Sequence, residues 1–468
     1  MTSNNPLRRD FWLGSVDSRP FALFRIGLGL AILHDLFDYT RDFRAFLTDD
    51  GMLPRSVQRE WTAWSVFDLA GSTAGVGVLF AIGVVAVACY TLGYRTRIAT
   101  VVAWFWMVSL HNRNYYVTDG GDTFAGIMLF WSCFADLGAT WSLDARRRGA
   151  RAMIPAMPVR LLQAHLAFLY LATARLKLRP AWFRGDAVYH SLQLDGFVRP
   201  IGAWVGRSPT LSRFATWGIL AMEGSFPFLA FSPVLIGPAR AMAVFCGVAI
   251  QLGIAITMRV GIFQEAMLAS CALFILPEWL DALAGWWQRR TGTGVRRATP
   301  VDHPANDTVR TAPLWAAVLA LQFALCAWPF IGERRFPVPE FVRRERDFLS
   351  IVQPSDLFGA TWAIRRWRAP GVLASGRTSD VLAVTAPGTE PRGAGWQFSR
   401  WNKFTYKEGE RGLPWQTLAP YLCRAFAERV PGDTLREFSV IDDGGPPRHA
   451  GEPPPPPQQR VLWTQRCP

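Results

Sequence analysis

The sequence predicts an all-α polytopic transmembrane helix bundle of about nine spans, with a small β-rich extramembrane domain at the C-terminus. Three observations carry this. Half of the 468 residues are hydrophobic and only 18% are charged. The apolar residues fall in blocks close to the length that crosses a bilayer. The basic residues fall in short clusters between those blocks, as membrane topology requires.

The blocks lie at about 20–38, 73–94, 98–112, 122–140, 158–177, 214–232, 239–258, 260–278 and 312–330. The third and fourth are the weakest, being short or carrying Asp122 and Asp136, and eight spans is the fallback if one of them is re-entrant. With the N-terminus in the cytoplasm, inside segments hold Arg8, Arg9 and Arg19, then Arg95 and Arg97, then Arg146–Arg148 with Arg151, then Arg289, Arg290, Arg296, Arg297 and Arg310. The short outside loops hold only Arg113 and Arg259. This asymmetry predicts a cytoplasmic N-terminus and an extracytoplasmic C-terminal domain. The expected organisation is a cytoplasmic tail at 1–19, a helical membrane domain at 20–332, a β-rich domain at 334–450 and a Pro-rich tail at 451–468. The first 19 residues are polar and predict no cleavable leader. Arg, Ala and Gly usage fits a bacterial inner (plasma) membrane.

A net charge of +14 raises nucleic-acid binding, but the arginines form no patch or aromatic-interleaved face, which excludes that class. Five of the seven cysteines (Cys89, Cys133, Cys246, Cys271, Cys326) sit inside apolar blocks, and no CxxC or HxxxC spacing is present, so no metal is predicted. Cys423 and Cys467, in the polar tail, either pair in an oxidising compartment or stay free. In the tail, Val381–Thr385 and Glu437–Ile441 read as strands, 415–429 as helix, and Pro453–Pro457 as an extended connector.

Ionisable groups inside spans are expensive and mark either a function or a structural pair. They are Arg25, His34, Asp35, His111, Asp122, Asp136, His165, Arg175, Lys177, Glu223 and Glu265. For Arg25, an acidic partner is expected. Lys177 stands apart, because the chain has 50 Lys plus Arg and only three of these are lysines: Lys177, Lys403 and Lys407. An ammonium can give up its proton when desolvated, which a guanidinium does not. Lys177 is therefore a candidate base, the alternative being a lysine that snorkels to the interface. HExxH, P-loop and GxSxG motifs are absent.

These residues resemble the HTTM family (horizontally transferred transmembrane domain), shared by vitamin K-dependent γ-carboxylases and bacterial membrane proteins. The resembling segments are Arg19–Arg25 with Asp50–Pro54, His111–Asn114 with Gly120–Asp122, and Trp141–Asp144. Leu169–Lys177 with Trp182 and Gly185, Glu223 with Phe226–Pro227, Gly261–Glu265, Gln353–Phe358 and Arg400–Phe404 complete the set. The resemblance implies that Lys177, five residues before Trp182, deprotonates a lipid hydroquinone, either vitamin K hydroquinone or menaquinol. The quinol then reacts with O2, and the basic product removes a γ-proton from a glutamate-containing peptide, whose carbanion captures CO2. It implies His111, or Asn114 in its place, in the later steps, and Glu223 and Glu265 in proton handling. Arg25, Asn114, Trp182 and His165 are the expected quinol-binding residues. The family's second lysine is Leu176 here. Two other readings stand beside this one. One is a non-catalytic HTTM component for binding, maturation or transport. The other is a small-solute transporter, for which no inverted repeat is visible.

Overall fold

The computed structural model describes residues 4–58, 64–291, 317–318, 320–324, 337, 339–349, 364–387, 399–411, 414–447, 452 and 458–468. Among the described residues, eight helices build the bundle: α1 (Arg19–Arg41), α2 (Thr73–Leu92), α3 (Thr96–Arg113), α4 (Gly120–Ser132), α5 (Ala156–Leu176), α6 (Pro209–Ala230), α7 (Ile236–Thr257) and α8 (Phe263–Cys271); a further helix, α9 (Pro277–Thr291), follows and buries no residue. Helix α1 packs on α2 and α8, and sequential neighbours pack on one another around the core. A two-stranded antiparallel ribbon, β1 (Ser15–Asp17) with β2 (Met153–Pro155), ties the starts of α1 and α5 together. Both helices therefore run away from the same end of the molecule, here called the near end.

Local chemistry sets the helix limits. Ser72 caps α2 by accepting from the Gly75 amide, and Gly93 ends it in the left-handed conformation at φ 69°. Only glycine fits there, since a Cβ would lie 2.1 Å from a guanidinium nitrogen of Arg25. Asp119 and Asp122 form a reciprocal capping box at the start of α4.

Eight of the nine expected blocks fall on helices, but nine spans are not supported. Among the described residues, α1, α2 and α7 are long and apolar enough to cross a membrane. A fourth candidate is the segment Phe263–Phe274 with Pro277–Thr291, bent by 95° at the break between them. Block 122–140 shrinks to the 13-residue α4 because the chain turns after Ser132. Arg97 and Arg113 flank α3; Arg160, His165 and Arg175 interrupt α5; Arg213 and Glu223 interrupt α6. Most of block 312–330 lies outside the described residues, as do Gln353–Phe358 and Pro453–Pro457. Exposed apolar side chains line the outer faces of the long helices, including Val78, Ile82 and Val85 on α2 and Phe245, Leu252 and Ile256 on α7. Such a belt suits hydrocarbon surroundings rather than water.

The C-terminal region mixes helix and sheet. Its helices are α10 (Glu340–Leu349), α11 (Trp401–Arg411) and α12 (Trp415–Arg429), the last on the expected segment. Strand β6 (Leu435–Asp442) is central: β3 (Trp367–Arg368) and β4 (Pro370–Leu373) pair along one edge, with β5 (Thr378–Asp380) beyond β4, all antiparallel. The segment Val381–Thr385, expected as a strand, is a short helix, because the Asp380 carboxylate accepts from the Leu382 and Ala383 amides and caps it. The sheet also continues past residue 450: β7 (Arg460–Arg466) pairs with the other edge of β6. Cys467, just beyond β7, is disulfide-bonded to Cys423 in α12, across 44 residues of chain. Cys423→Ser is expected to destabilise this domain by about 2–4 kcal/mol, since the bridge restricts a long loop in the unfolded chain. Denaturant unfolding of the purified protein with and without reductant measures it.

This domain seats on the end of the bundle opposite the β1–β2 ribbon. Arg366 Nε donates to Asp195 at 2.6 Å, Asn402 Nδ2 to the Gly196 carbonyl at 2.7 Å, and Thr417 Oγ1 to the Met52 carbonyl at 3.3 Å. Trp401 packs on Phe46 and Tyr406 on Phe197.

Candidate functional site

Helix α5 ends at Lys177, whose amide bonds back to the Thr173 and Ala174 carbonyls. Pro180 then opens a one-turn helix, Pro180–Arg184, that returns Trp182 over the lysine; Nζ lies 5.2 Å from the ring centroid. Gly185 closes this turn at φ 86°, where a Cβ would strike the Arg213 side chain at 2.3 Å. The Lys177 side chain is 4% exposed and its Nζ is 2.8 Å from Glu223 Oε2 of α6. Two residues singled out from the sequence on separate helices thus meet as a buried ion pair, with Trp182 as a third member.

The pair lines a cavity of about 420 Å3 enclosed by α5, α6, α7 and the 182–205 segment. Its walls are otherwise mainly apolar, among them Leu169, Ile219, Met222, Ile250, Ile254 and Met267, with Tyr170 and Gln251 supplying further polar atoms. Its rim includes Phe214, 65% exposed on the outer face of α6, and the exposed Gly253 of α7. The cavity therefore reaches the surface beside α6 and α7, among exposed apolar side chains. The volume and lining suit one aromatic small molecule held by few polar contacts.

The other expected site residues lie elsewhere, each satisfying a local need. Among the described residues Arg25 makes no ion pair with an acid; it donates to the carbonyls of Leu137 at 3.3 Å and Trp141 at 2.6 Å, which closes the turn after α4. Asn114 caps the turn 115–117, accepting from the Tyr116 amide and donating to the Phe46 carbonyl. His165 accepts from Trp131 Nε1 at 3.3 Å inside the core. Glu265 meets His34 Nδ1 at 2.9 Å, beside a separate, smaller cavity that Arg199 and Arg259 also line.

His111 belongs to a second buried group. Its Nε2 is 3.8 Å from Asp122 Oδ1, and Asp122 binds both terminal nitrogens of Arg400 at 3.0 Å. Arg400 also bonds to Asp35 and to the Val117 carbonyl, and its guanidinium lies 3.8 Å from the Tyr39 ring centroid. A residue of the C-terminal domain thus bridges two carboxylates of the bundle. His111 does not line the Lys177 cavity.

Sequence reasoning missed Gln251 and Tyr170 because neither side chain is charged at neutral pH, so neither stands out inside an apolar helix. The available signal was a lone amide in the middle of the apolar run Val248-Ala-Ile-Gln-Leu-Gly253. Among the described residues, no cluster of His, Cys, Asp and Glu has the make-up of a metal site.

No solved structure matches this chain. The family model of the HTTM domain matches residues 14–279, from β1 into the first turn of α9; it includes Lys177 and Glu223 and, of the second buried group, Asp35, His111 and Asp122 but not Arg400. With more than half its length so matched, the chain belongs to the HTTM domain family.

Proposed function

We propose that this membrane protein binds a lipid-soluble hydroquinone in the Lys177 cavity and removes a proton from it, in the manner of the vitamin K-dependent γ-carboxylases it resembles. The observation carrying the reading is the Lys177–Glu223 pair at 2.8 Å, set in the wall of an apolar cavity with exposed apolar residues at its rim. A quinol ring fits the chamber, and an isoprenoid tail leaves between α6 and α7 into the hydrocarbon. The pair can take up a proton from a phenolic hydroxyl, and the cation–π contact with Trp182 keeps the amine in place. Exclusion of water protects a strongly basic product of the quinol's reaction with O2 from quenching. A hydroquinone held by Lys177, Glu223 and Trp182 would supply, with O2, the base needed for carboxylation of a glutamate-containing peptide by CO2. The charge asymmetry of the loops and the Cys423–Cys467 disulfide favour an extracytoplasmic C-terminal domain of an inner-membrane protein, with the N-terminus in the cytoplasm.

A second reading, a non-catalytic binding or maturation component, draws on the position of His111. It is engaged with Asp122 and Arg400 rather than with the lysine cavity.

Purified protein in lipid nanodiscs, given vitamin K hydroquinone or menaquinol, O2 and labelled bicarbonate, discriminates the two. Quinone epoxide made by wild type and lost in Lys177→Ala is the expected result. No epoxide from wild type with either quinol would favour the non-catalytic reading.

A further inference from the structure

Gln251 is 2% exposed and lines the Lys177 cavity from α7. Its Nε2 donates to the Tyr170 hydroxyl at 3.2 Å, while its Oε1 is buried without a hydrogen-bond partner among the described residues. The tyrosine that orients the amide is itself fixed: its ring stacks on Phe226 with centroids 4.1 Å apart. Gly247, one turn before Gln251 on α7, lets the helix pack close to Cys271 and Phe226; a Cβ there would lie 2.8 Å from the Cys271 sulfur.

An acceptor buried in an apolar wall is costly to leave unpaired, and native structures rarely do so without a reason. Here the cavity itself is the space from which a donor can come. Tyr170 and Lys177 lie seven residues apart on one face of α5, about 10 Å along the helix axis. The chamber thus has two polar stations, Lys177–Glu223 and Tyr170–Gln251, separated by apolar wall. A six-membered ring with a hydroxyl at each end can engage one station with each hydroxyl.

The geometry points to Gln251 as the specificity-determining residue of the cavity: its Oε1 accepts the hydrogen of the ligand hydroxyl remote from Lys177, selecting the reduced, dihydroxy form of an aromatic ligand. This deepens, and rests on, the reading that the cavity takes a hydroquinone. A quinone presents a carbonyl oxygen to Oε1 and is repelled; a monoether presents no hydrogen at one of the two stations.

The test is anaerobic isothermal titration of the protein in nanodiscs, with empty nanodiscs as the blank. The probes are menadiol, menadione and the mono-O-methyl ether of menadiol. Wild type is expected to bind menadiol at least about tenfold tighter than the other two, the worth of one satisfied buried acceptor. Gln251→Leu should bring menadiol and its monoether to within about twofold of each other, since neither then loses a contact on that side. Gln251→Met carries the same comparison if the leucine variant does not fold. Gly218→Phe localises the probes: Gly218 lies in the cavity wall and a Cβ there meets nothing within 4 Å, so the added ring fills the chamber. Binding of all three probes should then be lost, and binding retained in Gly218→Phe would overturn the assignment. So would a wild type that prefers menadione, which would mean the amide presents its NH2 group, or a preference for menadiol unchanged in Gln251→Leu. A preference for menadiol unchanged in Gln251→Leu leaves the hydroquinone reading standing, whereas binding retained in Gly218→Phe, a preference for menadione, or a wild type that binds none of the probes overturns both.

Discussion

Replacing Arg400 with alanine is expected to cost about 3–5 kcal/mol of stability, because it strands two buried carboxylates at once. Asp35 and Asp122 are each 2% exposed or less, and Arg400 is the cation that binds both. The Val117 carbonyl and the Tyr39 ring face would lose their contacts with it as well. Arg400→Lys should recover only part of the loss, since an ammonium cannot reproduce the fork that bonds two carboxylates and a carbonyl together. Asp35→Asn with Asp122→Asn in the Arg400→Met background should be milder than Arg400→Ala, because no charge is then left unpaired. Thermal unfolding in nanodiscs measures this, with a midpoint several degrees lower for Arg400→Ala. An unchanged midpoint would mean that the carboxylates are neutralised by other means. The contact also decides whether the C-terminal domain stays seated, so limited proteolysis of the same variant should release it.

The meeting of Lys177 and Glu223 was partly legible in the sequence, and the reason is economy of charge. In a chain that meets its need for positive charge with arginine, a lysine at the end of an apolar helix is conspicuous, and so is a glutamate inside one. Both came from their surroundings in the chain, and the fold brought them to 2.8 Å of each other. Arg25 looked equally conspicuous but serves the turn after α4, because peptide carbonyls satisfy a guanidinium as well as an acid does. Nothing in a single sequence separates those two cases. Gln251 carries no charge and so no penalty large enough to stand out, and its meaning depends on an acceptor left open in three dimensions. The span count failed for a related reason. Hydropathy treats 122–140 as one block, whereas the chain turns after Ser132 and spends its remaining apolar residues on packing. In the tail, alternating apolar residues at Val381–Thr385 suggested a strand, but the cap supplied by Asp380 outweighs β-propensity over so short a stretch.

Breaking the Lys177–Glu223 pair separates a structural role from a chemical one. Lys177→Met leaves the Glu223 carboxylate buried alone and Glu223→Leu leaves the ammonium alone, so each is expected to cost about 3–5 kcal/mol. The double variant removes both charges, and in a wall that is already apolar it should regain most of that loss, giving a strongly favourable coupling in a double-mutant cycle. Quinol turnover follows different arithmetic. If the lysine is the base, activity is absent from Lys177→Met and stays absent from the double variant, however stable it is. Lys177→Arg sharpens the distinction, because arginine keeps the cation opposite Glu223 and the contact with Trp182 but holds its proton throughout the working range. Its thermal midpoint should stay near wild type while epoxide formation falls by at least about 100-fold, the worth of a positioned general base. Turnover retained in Lys177→Arg would remove the lysine from the chemistry and leave the pair as interhelical glue between α5 and α6. Such a result would move the proton-accepting role to Glu223, and Glu223→Gln would then be the variant that silences the protein.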